Sequence, residues 1–111
     1  MELRLDSRQV DPWTVLDVAG EVDLFTAPAL RERIVGLIGE GHLQLLVNLG
    51  EVGFMDSSGL GVLVAGLKRA REAGGEMALV CREGPTYKVL AITGLDRVFP
   101  IYDSVDDAVG S

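Results

Sequence analysis

The sequence predicts an α/β domain: a mixed sheet of about four to five strands, opening with an antiparallel hairpin and continuing through parallel crossovers, with about four helices. Three observations carry this expectation. Leu3 and Leu5 alternate with Glu2, Arg4 and Asp6, and Asp11-Pro12 then turns the chain into a second apolar run. Leu43-Gln44-Leu45-Leu46-Val47-Asn48-Leu49 is almost continuously apolar, as a strand covered on both faces is. Segments with helical spacing alternate with such runs, and strand, helix, strand in that order makes a crossover unit.

The first strand is half exposed, and Trp13 is expected to pack at the hairpin. A second strand covers Thr14 to Ala19, and Gly20-Glu21-Val22-Asp23 ends it. Thr26 can cap the first helix, with Pro28 in its first turn, where a missing N–H is harmless. Leu30, Ile34, Leu37 and Ile38 line one face of that helix, Arg31, Glu32 and Arg33 begin its wet side, and Gly39-Glu40-Gly41 stops it. His42 reads as an exposed loop residue. Asn48 interrupts the third strand near its end, where a polar side chain can reach the edge of the sheet or hydrogen-bond a loop, and Gly50 to Gly53 form a connection. A second helix runs from about Ser57 to Ala73, with Lys68, Arg69 and Arg71 in its last turns, where cations suit the helix dipole.

Glu76 to Cys81 is a fourth strand. Glu83-Gly84-Pro85-Thr86 opens a third helix, with Val89, Leu90 and Ile92 as apolar contacts and Gly94 as its stop. Val98 to Tyr102 is a short last strand, placed at an edge because Pro100 cannot donate to an interior ladder. Asp103 to Val109 closes the chain as a small helix.

With 111 residues, 48% of them hydrophobic, the chain is read as one domain over 1–111 with a real core. A net charge of −7 lacks the basic stripe of a nucleic-acid binder and does not suit anionic membranes. No apolar run approaches the roughly 18 residues of a membrane span, and Met1-Glu2-Leu3-Arg4 does not begin a signal peptide. Cys81 is the only cysteine and reads as a buried, inert thiol, so a cytoplasmic location is expected. One histidine rules out a multi-His metal site, and no glycine run cradles a phosphate. No cofactor is expected.

The stretch with the most functional content is Phe54-Met55-Asp56-Ser57-Ser58-Gly59-Leu60-Gly61. It starts a helix that carries no charged side chain from Ser57 to Leu67. Leu60, Leu63, Val64 and Leu67 form one stripe, expected to face the core. Ser58, Gly61, Val62, Ala65 and Arg69 form another, where Lys or Glu would be usual. Gly61 and Gly66 each cost roughly 1 kcal/mol relative to alanine inside a helix. Close approach of another surface explains them, and it is either a neighbouring helix of this chain or a partner. Asp56 or Ser57 can cap the helix, and a phosphate on a serine there would meet free N–H groups. Asp23, leaving a strand, reads as a solvated or capping carboxylate.

Gly20-Glu21-Val22-Asp23, Thr26-Ala27, Val47-Asn48-Leu49, the stretch from Phe54 to Leu63, and Ile92-Thr93-Gly94-Leu95 together resemble the anti-sigma factor antagonist family. These are STAS domains of bacterial partner-switching systems, and the similarity covers the chain in order. Val98-Phe99-Pro100-Ile101 resembles actinobacterial members. The resemblance implies a STAS-like fold and a regulatory protein without catalytic activity. It implies phosphorylation of Ser57 by an anti-sigma factor serine kinase with a histidine-kinase-like ATPase fold, and resetting by a PP2C-type phosphatase. The unphosphorylated form would bind the kinase and free a sigma factor. The expected partner-binding residues are Asp23, Thr26, Asp56, Ser58, Gly59, Gly61, Val62 and Ala65. A STAS scaffold or sensor-complex subunit that does not act on a sigma factor is the alternative. A hydrolytic pair of Asp56 and Ser57 would need a base that the neighbouring sequence does not supply.

Overall fold

The computed structural model describes residues 3–110. Met1 and Glu2, where the first alternation and the signal-peptide reading begin, lie outside them, as does Ser111 at the end of the expected domain. The elements are β1 (Arg4–Val10), β2 (Trp13–Val22), α1 (Ala27–Gly39), β3 (Gln44–Met55), α2 (Ser57–Glu72), β4 (Glu76–Val80), α3 (Pro85–Ile92), β5 (Ile101–Tyr102) and α4 (Val105–Val109), with a 3-10 turn at Leu95–Arg97. The five strands lie in chain order, β1-β2-β3-β4-β5. β1 pairs antiparallel with β2, and every later pairing is parallel. This is the expected mixed sheet, and β5 lies at its edge.

Strand alternation sorts the apolar side chains to two faces. Leu16, Val18, Leu45, Val47, Leu49, Met77 and Leu79 face α1 and α2 in the main core, which also takes Leu90 of α3. Trp13, Val15, Leu46, Ala78 and Val80 form a smaller cluster on the opposite face, closed by Ala108 of α4. The Trp13 indole donates to the Ala108 carbonyl at 3.4 Å. Where α4 does not reach, that face is polar. Asp17 accepts from Arg8 at 2.7 Å and from Asn48 at 2.9 Å, and Asn48 Oδ1 accepts from the Gly50 amide at 3.0 Å. The Arg8 guanidinium, above all, holds the Asp17 carboxyl below the ordinary carboxylate range. Cys81 is buried, and that burial raises its thiol pKa.

Several boundaries differ from the sequence expectation. Gly50 to Gly53 do not form a connection but lie within β3, and β2 runs past Ala19 to end at Val22. Across two register shifts, between Asp17 and Ala19 and between Gly20 and Glu21, the strands keep pairing, from Ala19 opposite Glu51 to Val22 opposite Met55. The last strand shrinks to Ile101–Tyr102, because the 3-10 turn carries the chain inward and buries Phe99. Ile92, expected as an apolar contact of the third helix, is 85% exposed. His42 is half-buried, with its Nδ1 3.1 Å from the Thr14 hydroxyl. Among the described residues no helix is long and apolar enough to cross a membrane, and no group of His, Cys, Asp and Glu could hold a metal.

Candidate functional site

The site forms where β2 and β3 end side by side. Val22 and Met55 are register partners, and each is followed by an aspartate. The Asp56 amide donates to the Val22 carbonyl at 3.1 Å, which ties the two strand ends together. Each aspartate then organises the turn or helix start that follows it.

Asp56 is the N-cap of α2. Its carboxylate accepts from the amides of Ser58 at 2.8 Å and Gly59 at 3.4 Å, two of the four donors a helix start leaves without a partner. The Leu60 amide donates to the Asp56 carbonyl at 3.1 Å and closes the first turn. Asp23 plays the matching part before α1. Its carboxylate accepts from the Thr26 amide at 3.0 Å and the Phe25 amide at 2.9 Å. The Thr26 amide, ahead of the others, holds this carboxyl below its ordinary range. Thr26 occupies the N-cap position of α1 but does not cap with its side chain, contrary to expectation. Its hydroxyl donates to the Glu21 carbonyl at 2.7 Å and accepts from the Asp23 amide at 2.9 Å, locking the turn instead.

The buried face of α2 is Gly59, Val62, Leu63, Gly66, Leu67 and Ala70. That sets the helix in a different phase from the expected stripes. Val64, placed with the core, is 42% exposed, and Val62, placed on the open face, is 9% exposed. The reason is close packing at glycine. A Cβ on Gly59 would stand 2.7 Å from both Met55 Cγ and Val22 Cγ1, and one on Gly66 would stand 3.0 Å from Ile34 Cγ2. Around Gly61 a Cβ would meet nothing within 4 Å. Packing within the chain therefore accounts for Gly66 and not for Gly61.

Of the expected site residues, Ser57, Gly61 and Ala65 are exposed, and Asp23, Asp56 and Ser58 are half-buried. Thr26, Gly59 and Val62 are buried and shape the site from beneath. Sequence reasoning passed over Leu24 and Phe25, which are 69% and 88% exposed at the tip of the Asp23–Thr26 turn. A signal was present: two large apolar residues stand inside a turn whose polar ends, Asp23 and Thr26, bond each other. Phe54, beside Glu21 in the register, is also half exposed. A groove of about 660 Å³ runs along this edge between α1 and α2, with Leu24, Ser58, Val62 and Arg31 in its walls.

The capped start of α2, the turn from Asp23 to Thr26, an exposed serine and the bare apolar side chains of Leu24 and Phe25 thus meet at one edge of the fold. A STAS domain model matches residues 4–108. The chain is 35% identical to the anti-sigma-B factor antagonist of Bacillus subtilis, over 91% of this chain and 92% of that protein. It is 32% identical to an anti-sigma-F factor antagonist of Mycobacterium tuberculosis, over 86% of this chain and 77% of that one. The crystal structure of an anti-sigma factor antagonist from Mycobacterium paratuberculosis superposes with a TM-score of 0.90 at 32% identity, covering 98% of this chain and 92% of that one. The chain belongs to the anti-sigma factor antagonist family of STAS domains. These relatives are regulatory binding proteins rather than enzymes.

Proposed function

We propose that the chain is an anti-sigma factor antagonist that works by partner switching. In its unphosphorylated form it binds an anti-sigma factor serine kinase with a histidine-kinase-like ATPase fold, and a sigma factor is freed. The kinase transfers the γ-phosphoryl group of ATP to the Ser57 hydroxyl, which loses its proton as ADP leaves. The phosphorylated form dissociates. A PP2C-type phosphatase hydrolyses the phosphoserine to serine and inorganic phosphate. On this reading Asp23, Asp56, Ser58, Gly61 and Ala65 meet the kinase, Thr26, Gly59 and Val62 support them, and the setting is the cytoplasm, without nucleic acid or membrane.

One observation supports the choice of Ser57 most directly. Its side chain is exposed at the start of α2, while the next two amides already donate to Asp56. The expectation that a phosphate would collect these free N–H groups therefore changes, because Asp56 holds them. A phosphate on Ser57 would stand outward beside Asp56, adding about −1.5 to −2 of charge at the open edge. The fold keeps its cap, and the surface gains negative charge and bulk.

The test is intact-mass measurement of the chain with each purified ATPase-fold serine kinase from the same genome and Mg-ATP. Wild type should gain one phosphoryl group and Ser57→Ala none, while Ser57→Asp should bind the kinase weakly and melt where wild type does. Phosphorylation of Ser57→Ala at an undiminished rate would remove the site assignment.

A further inference from the structure

We infer that the groove between α1 and α2 seats an acidic, amphipathic segment of the partner kinase, and that a phosphate on Ser57 opposes that segment at the groove's mouth. The inference rests on the switch proposed above and adds the chemistry of the partner's contact. The groove of about 660 Å³ at the Ser58 end continues into one of about 350 Å³ further along α2, because Arg31, Val35 and Val62 line both. Val35 and Val62 give it apolar walls. Gly36 keeps the α1 side low, since a Cβ there would meet nothing within 4 Å.

Charge identifies the occupant. The chain as a whole carries −7, yet the far section of the groove presents Arg31, Lys68 and Arg69 against the single carboxylate of Glu72. Glu32 faces only the near section. The side chains of Arg31, Lys68 and Arg69 have no ion pair or hydrogen bond among the described residues, whereas Arg8 and Arg71 are each held by a carboxylate. Beyond about 10 Å, physiological salt screens exposed charges, so a docking segment responds to these cations more than to the distant acidic residues. An apolar channel ending in unpaired cations fits a segment with apolar residues on one side and Asp or Glu on the other. Ser58 lines the mouth and Ser57 precedes it, exposed, so a phosphate there competes with an acidic occupant for Arg31, which lines both sections. Release then follows from competition, with no change of fold.

The experiment uses the full chain and a purified serine kinase that phosphorylates it, with affinity read by calorimetry in Mg-ADP. Arg31→Glu and Arg69→Glu should each weaken binding about tenfold or more, Arg31→Gln by less, and Lys88→Glu on α3 by under about twofold. Melting temperatures should match wild type, because these side chains are exposed. In a double-mutant cycle, Ser57→Asp should cost less affinity in the Arg31→Gln background than in wild type. Reversals at Arg31 and Arg69 that leave affinity within about twofold, with wild type still bound, overturn the groove and leave the switch standing. A wild type that none of the purified ATPase-fold serine kinases of the same genome binds or phosphorylates overturns both.

Discussion

Gly61 and Gly66 stand on one helix, five positions apart, and face opposite demands. Gly66 is buried against Ile34 and Met77, where a side chain would crowd two elements of the core. Gly61 lies on the other flank with open space around it. A helix interior penalises both glycines equally, so the fold accounts for the first and not for the second. The same contrast runs along the whole of α2, with Gly59, Leu63 and Leu67 on the packed flank and Ser57, Gly61 and Ala65 on the bare one. What separates the flanks is what the helix rests on, because both are poor in charge. Changes on the packed flank should register as stability, and changes on the bare flank as recognition.

Leu63→Ala is the strongest test of that division. Leu63 is fully buried between helix and sheet, so truncation should cost about 2–5 kcal/mol, read as a lower midpoint in urea denaturation. A loss under about 1 kcal/mol would mean the packed flank is not where the structure puts it.

Gly59→Ala comes next. The added methyl must displace Met55 and Val22, and overpacking of this kind costs roughly 1–3 kcal/mol. A thermal melt should show it as a fall of several degrees.

Gly61→Ala should go the other way. The methyl meets open space and improves helix propensity, for a gain of about 0.5–1 kcal/mol. Affinity for the kinase should nevertheless fall, since that flank is proposed to admit a close partner. A Gly61→Ala variant that is neither more stable nor weaker in binding would erase the contrast between the glycines.

The smallest effect belongs to Asp17 on the open sheet face. Its folded pKa lies below its unfolded value, so its stabilising contribution is fully present above the unfolded pKa and fades as pH falls through the folded one. Asp17→Asn should therefore be less stable than wild type at neutral pH by at most about 1 kcal/mol, given the exposure of the pair. The two melting curves should converge in acid. A difference that grows as pH drops would reverse the assignment of the Arg8–Asp17 pair.

The class of fold was legible in local residues. Alternation in β1, the apolar run in β3 and glycines after α1 and α2 act over a few neighbours, so periodicity and turn chemistry reveal them. Asp56 was readable as a cap for the same reason: the amides it binds are two and three residues on. The candidate site was legible as a stretch, Phe54 to Gly61, but not as a surface. Gly50 to Gly53 read as a loop because glycine weakens any strand signal, and only the neighbouring β2 supplies the ladder that extends them.

The facing of α2 was decided by tertiary contact. Leucine and valine count as core and glycine as surface when a helix is judged alone, which put Val64 inside and Val62 outside. In the folded chain the sheet and α1 approach most closely at Gly59 and Gly66, and the helix turns those residues inward. The apolar tip at Leu24 and Phe25 and the unpaired cations along α1 and α2 come together only when two crossovers lie side by side. Sequence by itself determined which residues begin the helix and cap it, because those bonds are local. Which flank is left bare, and what surrounds it, depended on contacts between segments far apart in the chain.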